Sequence, residues 1–349
     1  MKRNRFGILP VAFQLAACAP SAACICECGG TGLPGTAEAM PGASLTRQKK
    51  VWTYQEMVVG FTPSQSESGW RNANIDNFKE TAKSLGITLI FSDRAVKITE
   101  NEERMDFRMF LADEAVNVIV LDPNELTGWD DLLQQAKDAG KVVILEDRRI
   151  DSPPELYSTF VGSDFAEEGR KAGEEMCRLL EDGGEKNIWE LSGSAGYTSA
   201  AEDRGRGFRE TLNRCGLGVV QSETAEWTKA EGKRVMQKWL SESRGVQGIF
   251  AHNDDMALGA IEALKEAGLK PGVDVKIVSI DGESAALEAM LAGELNVSVE
   301  CSPDLAPQVF EAALKALNGE KLPKFIPVQG AVFSADMPGL EEIAAGRKY

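Results

Sequence analysis

Asp147 and Arg148 set a carboxylate beside a guanidinium. A carboxylate accepts two hydroxyl protons, and a guanidinium donates in a fixed fork, so the pair suits a hydroxyl-rich ligand. Glu67, Asp147 and Asp281 offer a second reading, as acid and base for cleaving a glycosidic bond. Trp70 and Trp227 could lie against the apolar face of a ring or pack in the core. Arg204, within Asp203-Arg204-Gly205-Arg206-Gly207-Phe208, could donate to a ligand or sit on a solvated helix face.

Other chemistry is disfavoured by residue type and spacing. His252 is the single histidine, so a multi-histidine zinc site is excluded, and a Ser-His-Asp triad would have to use it. Gly282-Glu283-Ser284-Ala285-Ala286 falls short of a nucleophile elbow at its last position, and Ser284 reads as a helix N-cap. His252-Asn253-Asp254-Asp255 suits capping and ligand contact better than a metal. Neither a dinucleotide glycine fingerprint nor a phosphate loop occurs, so no cofactor is expected. Gly193-Ser194-Ala195-Gly196 could cradle an anion, but glycine suits any strand-to-helix turn.

These residues need elements to hold them. Short apolar runs at 57–61, 88–91, 116–121 and 142–145 predict strands, with helical periodicity between them. Ile75, Phe78, Ala82 and Leu85 step at helical spacing, and Gly86 stops the helix. A second set follows, with strands predicted at 187–191, 218–223, 248–251, 276–280 and 297–300. Helices are predicted at 165–180, 200–214, 229–242, 255–267, 285–292 and 305–317. Mostly apolar strands imply sheets covered on both faces, hence parallel α/β architecture. Ligands of such sheets bind at the carboxyl ends of strands, which is where Glu67, Trp70, Asp147, Arg148, Asn253 and Asp281 fall.

The chain has 349 residues, long enough for two domains, and a formal net charge of −16. That charge repels nucleic acid and anionic membrane surfaces. Lys2, Arg3 and Arg5 precede a short apolar run over 6–17, the pattern of an export signal too short to span a bilayer. Leu15-Ala16-Ala17-Cys18 resembles a lipobox, with Cys18 as the lipidated residue and Cys24 as the alternative. Cys24, Cys26 and Cys28 lack zinc-module spacing, and the following small residues read as a tether over 18–54. Disulfides among Cys177, Cys215 and Cys301 cannot be read from the sequence, and buried free thiols are the default.

Together these stretches resemble the periplasmic sugar-binding proteins of ABC importers, of the ribose/galactose type and nearest its galactofuranose-binding members. The likeness runs from about Met57 to the C-terminus. It is carried by Ser66-Glu67-Ser68-Gly69-Trp70-Arg71, Asp147-Arg148-Arg149-Ile150-Asp151, Ala251-His252-Asn253-Asp254-Asp255-Met256, Lys265-Glu266-Ala267-Gly268-Leu269-Lys270-Pro271-Gly272 and Ser279-Ile280-Asp281-Gly282. The resemblance implies the type I periplasmic binding protein fold: two doubly wound parallel-sheet lobes joined by a three-strand hinge. The first lobe is expected over 55–160 and 303–326, the second over 161–302 and 327–349.

The resemblance also implies a ligand site of Glu67, Ser68, Trp70, Arg71, Asp147 and Arg148 from the first lobe. The second contributes Arg204, Trp227, Asn253 and Asp281. Glu300 is expected to stand in where pentose binders carry an amide and this chain has Cys301. Arg149 has no matched role and reads as solvated. The implied protein is no enzyme: a monomeric, exported lipoprotein that binds a monosaccharide without metal or cofactor and serves a membrane permease with its separate ATPase. A sugar sensor serving a chemoreceptor or sensor kinase, and a glycoside hydrolase, are the alternatives. The lactose-type repressors share the fold but begin with a helix-turn-helix, where this chain has an export-type segment.

Overall fold

The computed structural model describes residues 50–63, 68–91, 100–182, 186–194 and 198–349. The proposed signal, the tether as far as residue 49, the lipidation site and Glu67 lie outside these residues.

The first α/β set runs β1 (Val58–Thr62), α1 (Gly69–Leu85), β2 (Thr88–Phe91), α2 (Glu100–Ala112), β3 (Val118–Leu121), α3 (Asp130–Asp138), β4 (Val142–Glu146) and β5 (Thr159–Ser163). The second runs α4 (Phe165–Leu179), β6 (Ile188–Ser192), α5 (Ser199–Arg214), β7 (Val219–Thr224), α6 (Lys229–Glu242), β8 (Gly248–Ala251), α7 (Asp254–Glu266), β9 (Lys276–Asp281), α8 (Ser284–Leu291) and β10 (Val297–Glu300). Then come α9 (Ala306–Leu317), β11 (Phe325–Val328), β12 (Val332–Ser334) and α10 (Leu340–Gly346).

The strands form two six-stranded sheets, ordered β11-β5-β4-β3-β1-β2 and β12-β10-β9-β8-β6-β7. All pairings are parallel except β10 with β12. Central strands such as β3 are buried along their whole length, as expected of sheets with helices on both faces. Between β1, α1 and α9, Phe78 stacks on Phe61 at 4.3 Å and meets Phe310 edge-on at 5.5 Å.

The chain passes between the sheets after β5, after β10 and between β11 and β12. The expected lobe boundary at 160 falls inside β5, which pairs with β4 through Val161 and with β11 through Ser163. The expected tether likewise ends too late: Trp52 is fastened at both backbone groups to the Asn318 side chain, just past α9.

Two side-chain readings are corrected. Cys177, in the last turn of α4, is disulfide-bonded to Cys215 at the C-cap of α5, so these are not free thiols; Cys301 is free and buried. Ser284 is the first helical residue of α8 and Glu283 holds the cap position in extended conformation.

Candidate functional site

The carboxyl ends of both sheets face a narrow cleft with about 330 Å³ of space between atoms, part of it open to solvent. Ser68, Trp70, Arg71, Asp147 and Arg148 line it from the first lobe, and Arg204, Trp227, Asn253 and Asp281 from the second. Phe165, Ala200 and Cys301 complete the wall.

On the first lobe, α1 begins at the end of β1, with Ser68 as N-cap accepting from the Arg71 N–H at 3.1 Å. The Arg71 guanidinium is almost wholly buried, 2.9 Å from Asp122 and 2.5 Å from Asp147. Glu146 lies 3.8 Å away. Burial, reinforced by Asp122, pushes the Glu146 carboxyl well above its ordinary range. Asp147 leaves β4 with φ of +56°, a backbone that L side chains adopt at a cost, and so turns its carboxylate into the cleft. The Trp70 indole N–H donates to the Cys301 carbonyl at 2.6 Å, tying α1 to the crossing after β10.

On the second lobe, Arg204 projects from α5 and spends its fork on three elements. Nε lies 2.8 Å from Glu168 on α4, Nη1 donates to the His252 carbonyl at 2.7 Å, and Nη2 lies 3.4 Å from Asp281 at the end of β9. This requires α4 and α5 to run close together. A Cβ at Gly169 would lie 2.1 Å from the Arg204 carbonyl oxygen, so only glycine fits there. Burial raises the Asp281 carboxyl despite Arg204 beside it.

Trp227 has φ of +63°, and its ring stands between two guanidiniums, 6.0 Å from Arg148 and 5.8 Å from Arg204. Among the described residues nothing accepts a hydrogen bond from its Nε1, although the side chain is buried. Gly193 is the floor under this indole: a Cβ there would lie 2.0 Å from the ring, so only glycine allows this close approach. Asn253 caps α7 by accepting from the Met256 N–H and holds the Trp227 carbonyl through Nδ2 at 3.0 Å. His252 faces Glu190 through Nε2 at 3.0 Å and accepts from the Gly193 N–H through Nδ1. Burial lowers its pKa and favours the neutral ring, and among the described residues no serine is hydrogen-bonded to it.

Glu300 does not line the cavity. It accepts from Arg347 at 2.7 Å and from the Ala331 N–H at 2.9 Å, because alternation along β10 turns its side chain away and presents Cys301 instead. Arg149 is not simply solvated: its Nε lies 3.1 Å from Asp203 on α5. Phe165 and Glu168 were missed. Phe165 follows β5 and would have been found by the strand-end rule had that strand been recognised.

A family model described as a periplasmic binding protein domain matches residues 59–321, and the chain belongs to that family. Among curated relatives, the galactofuranose-binding protein YtfQ of Escherichia coli is 38% identical over 273 residues, spanning 77% of this chain and 84% of its own length. Two solved structures share the fold and much of the sequence. One is the periplasmic binding protein component of the arabinose ABC transporter from Shewanella sp. ANA-3, bound to α- and β-L-arabinofuranose. It has TM-score 0.79 and 38% identity, covering 84% of this chain and 96% of that one. The other, from Mycobacterium smegmatis in complex with β-D-fucofuranose, has TM-score 0.76 and 36% identity, covering 83% and 97%.

Proposed function

We propose that this chain captures one neutral monosaccharide, in a five-membered-ring form, between its two lobes and delivers it unchanged to a membrane permease driven by a separate ATPase. The observation that carries the reading is the cavity itself, lined from both lobes by charges already paired within their own lobe. Arg71 is matched by Asp122 and Asp147, and Arg204 by Glu168 and Asp281. A charged ligand would upset those pairs, whereas hydroxyls can both accept from the guanidiniums and donate to the carboxylates. Trp227 offers a ring face and a free N–H donor to the same ligand. The furanose preference rests on the relatives, named for galactofuranose or solved with arabinofuranose and fucofuranose.

Capture requires the lobes to part and close about the three crossings, and the sugar favours closure by the contacts it makes to both sides at once. The same reading makes the protein an exported monomer, held to a membrane by lipid on Cys18 and by a tether that ends before Trp52. Calorimetric titration with L-arabinose, D-galactose and D-fucose, all of which equilibrate with furanose forms in water, tests it. One site per chain for at least one of them is expected, and binding of none would overturn it.

A further inference from the structure

Two contacts join the lobes through Glu283 and Arg149, neither of which lines the cavity, although the first ends on the backbone N–H of Trp70, whose residue does. The first involves α1, whose first turn has N–H groups with no partner inside the helix. Ser68 satisfies Arg71 locally, and the Trp70 N–H is completed from the opposite lobe, donating to Glu283 Oε1 at 2.5 Å. The Asp255 carboxylate also feels the Gly69 N–H, which holds its pKa down against burial. Glu283 follows β9 and Asp255 opens α7, so both reach across the cleft. Separation of the lobes would hand these donors back to water.

The second contact is on the other side of the cavity. Arg149, next to the cavity residue Arg148, accepts no role in lining it. Its N–H donates to Ser199 Oγ at 3.1 Å, and its guanidinium lies 3.1 Å from Asp203 and 3.6 Å from Glu202, all on α5. Asp151 holds the guanidinium in place from its own lobe at 2.7 Å. The two contacts leave the first sheet at β1 and β4, with β3 between them, and reach the second at β9 and β8 on one side and α5 on the other. At the usual strand spacing they stand roughly 10 Å apart, one on each flank of the cavity.

We propose that Arg149 and Glu283 form a two-point clasp that sets how long the closed form lasts, whichever sugar fills the cavity. This rests on the sugar-capture reading above. Because the clasp touches only protein, it adds the same increment to the closed state for every ligand. Residues that meet the sugar, such as Arg148, add an increment that depends on which hydroxyls are present.

The test uses the full chain carrying Arg149→Ala, Asp203→Ala, Glu283→Ala, and the pairs Arg149→Ala with Asp203→Ala and Arg149→Ala with Glu283→Ala. Kd and dissociation rate are measured for each of L-arabinose, D-galactose and D-fucose that the unmodified chain binds. Each single variant should raise Kd about three- to tenfold, by one common factor across the sugars and through the dissociation rate. Arg149→Ala should add little once Asp203 is gone, and should multiply with Glu283→Ala. Unchanged Kd in both Arg149→Ala and Glu283→Ala, or factors that differ from sugar to sugar, would overturn the clasp. Should the unmodified chain bind none of the three, the sugar reading fails and small-angle scattering decides the clasp separately. A larger radius of gyration for the Arg149→Ala, Glu283→Ala chain supports it, and an equal radius overturns it.

Discussion

Glu168 holds Arg204 from behind: its Oε2 lies 2.8 Å from Nε, and both side chains are at least nine-tenths buried. Glu168 does not line the cavity, yet it fixes the plane of a guanidinium that does. Glu168→Gln keeps the shape and removes the charge. A hydrogen bond to a charged group is worth about 1.5–3 kcal/mol, so sugar affinity should fall about tenfold or more while the fold survives. Arg204→Lys should not restore binding, because an ammonium cannot serve Glu168, the His252 carbonyl and Asp281 at once. Calorimetry on both variants, with urea melts to confirm folding, checks this. Full affinity in Glu168→Gln would remove it from the site.

The two-sheet architecture was readable because most central strands are continuous apolar runs flanked by helical periodicity and glycine stops. The strands that escaped are those without such a run. β11 carries Pro327 at a sheet edge, where proline is tolerated, and β12 spans only three residues. β5 mixes threonine, glycine and serine with its apolar residues, and losing it hid Phe165. Site residues at the ends of recognised strands were legible for the same reason. Glu168 was not, since on paper it is one more carboxylate of an amphipathic helix. Only the glycine-lined approach of α4 to α5 brings it under Arg204. That approach also brings Cys177 to Cys215, which their separation of 38 residues did not reveal.

The disulfide joins the C-terminal ends of α4 and α5, whereas the cavity residues Phe165, Ala200 and Arg204 sit toward their N-terminal ends. Closing a loop of this size restricts the unfolded chain by roughly 3–4 kcal/mol. Cys177→Ser with Cys215→Ser should therefore lower unfolding stability by about that amount. The sugar Kd should shift by less than about threefold, because distant sites are nearly independent. Equilibrium urea unfolding and calorimetry on the same samples test both halves.

Glu103, on α2, accepts from the backbone and side chain of Asn124. Burial, then the neighbouring charge of Asp122, pushes its carboxyl from the ordinary 4.5 up to about 8. A group whose folded pKa is raised keeps a proton that the unfolded chain releases. Its contribution is intact below the unfolded pKa and is progressively lost as pH rises through the window from 4.5 to about 8. Glu103→Gln removes that proton linkage. The variant should gain stability relative to the parent as pH is raised from about 5 to about 9, measured by urea melts. A difference that stays flat with pH would show that Glu103 is not protonated in the folded chain.

Cys18→Ala should release the protein from membranes without altering sugar affinity. Each buried acyl methylene contributes about 0.8 kcal/mol, so loss of the chains abolishes partitioning. Fractionation of cells expressing the variant reads this out. Continued membrane association would move the anchor to another residue, with Cys24 the next to substitute.

The central claim is capture without chemistry, and native mass spectrometry of the full chain with equimolar L-arabinose, D-galactose and D-fucose tests it most directly. The account predicts a mass increment of one monosaccharide per chain, and release on denaturation of a sugar identical in mass and stereochemistry to the one supplied. No retained sugar, more than one per chain, or a chemically altered product would contradict it.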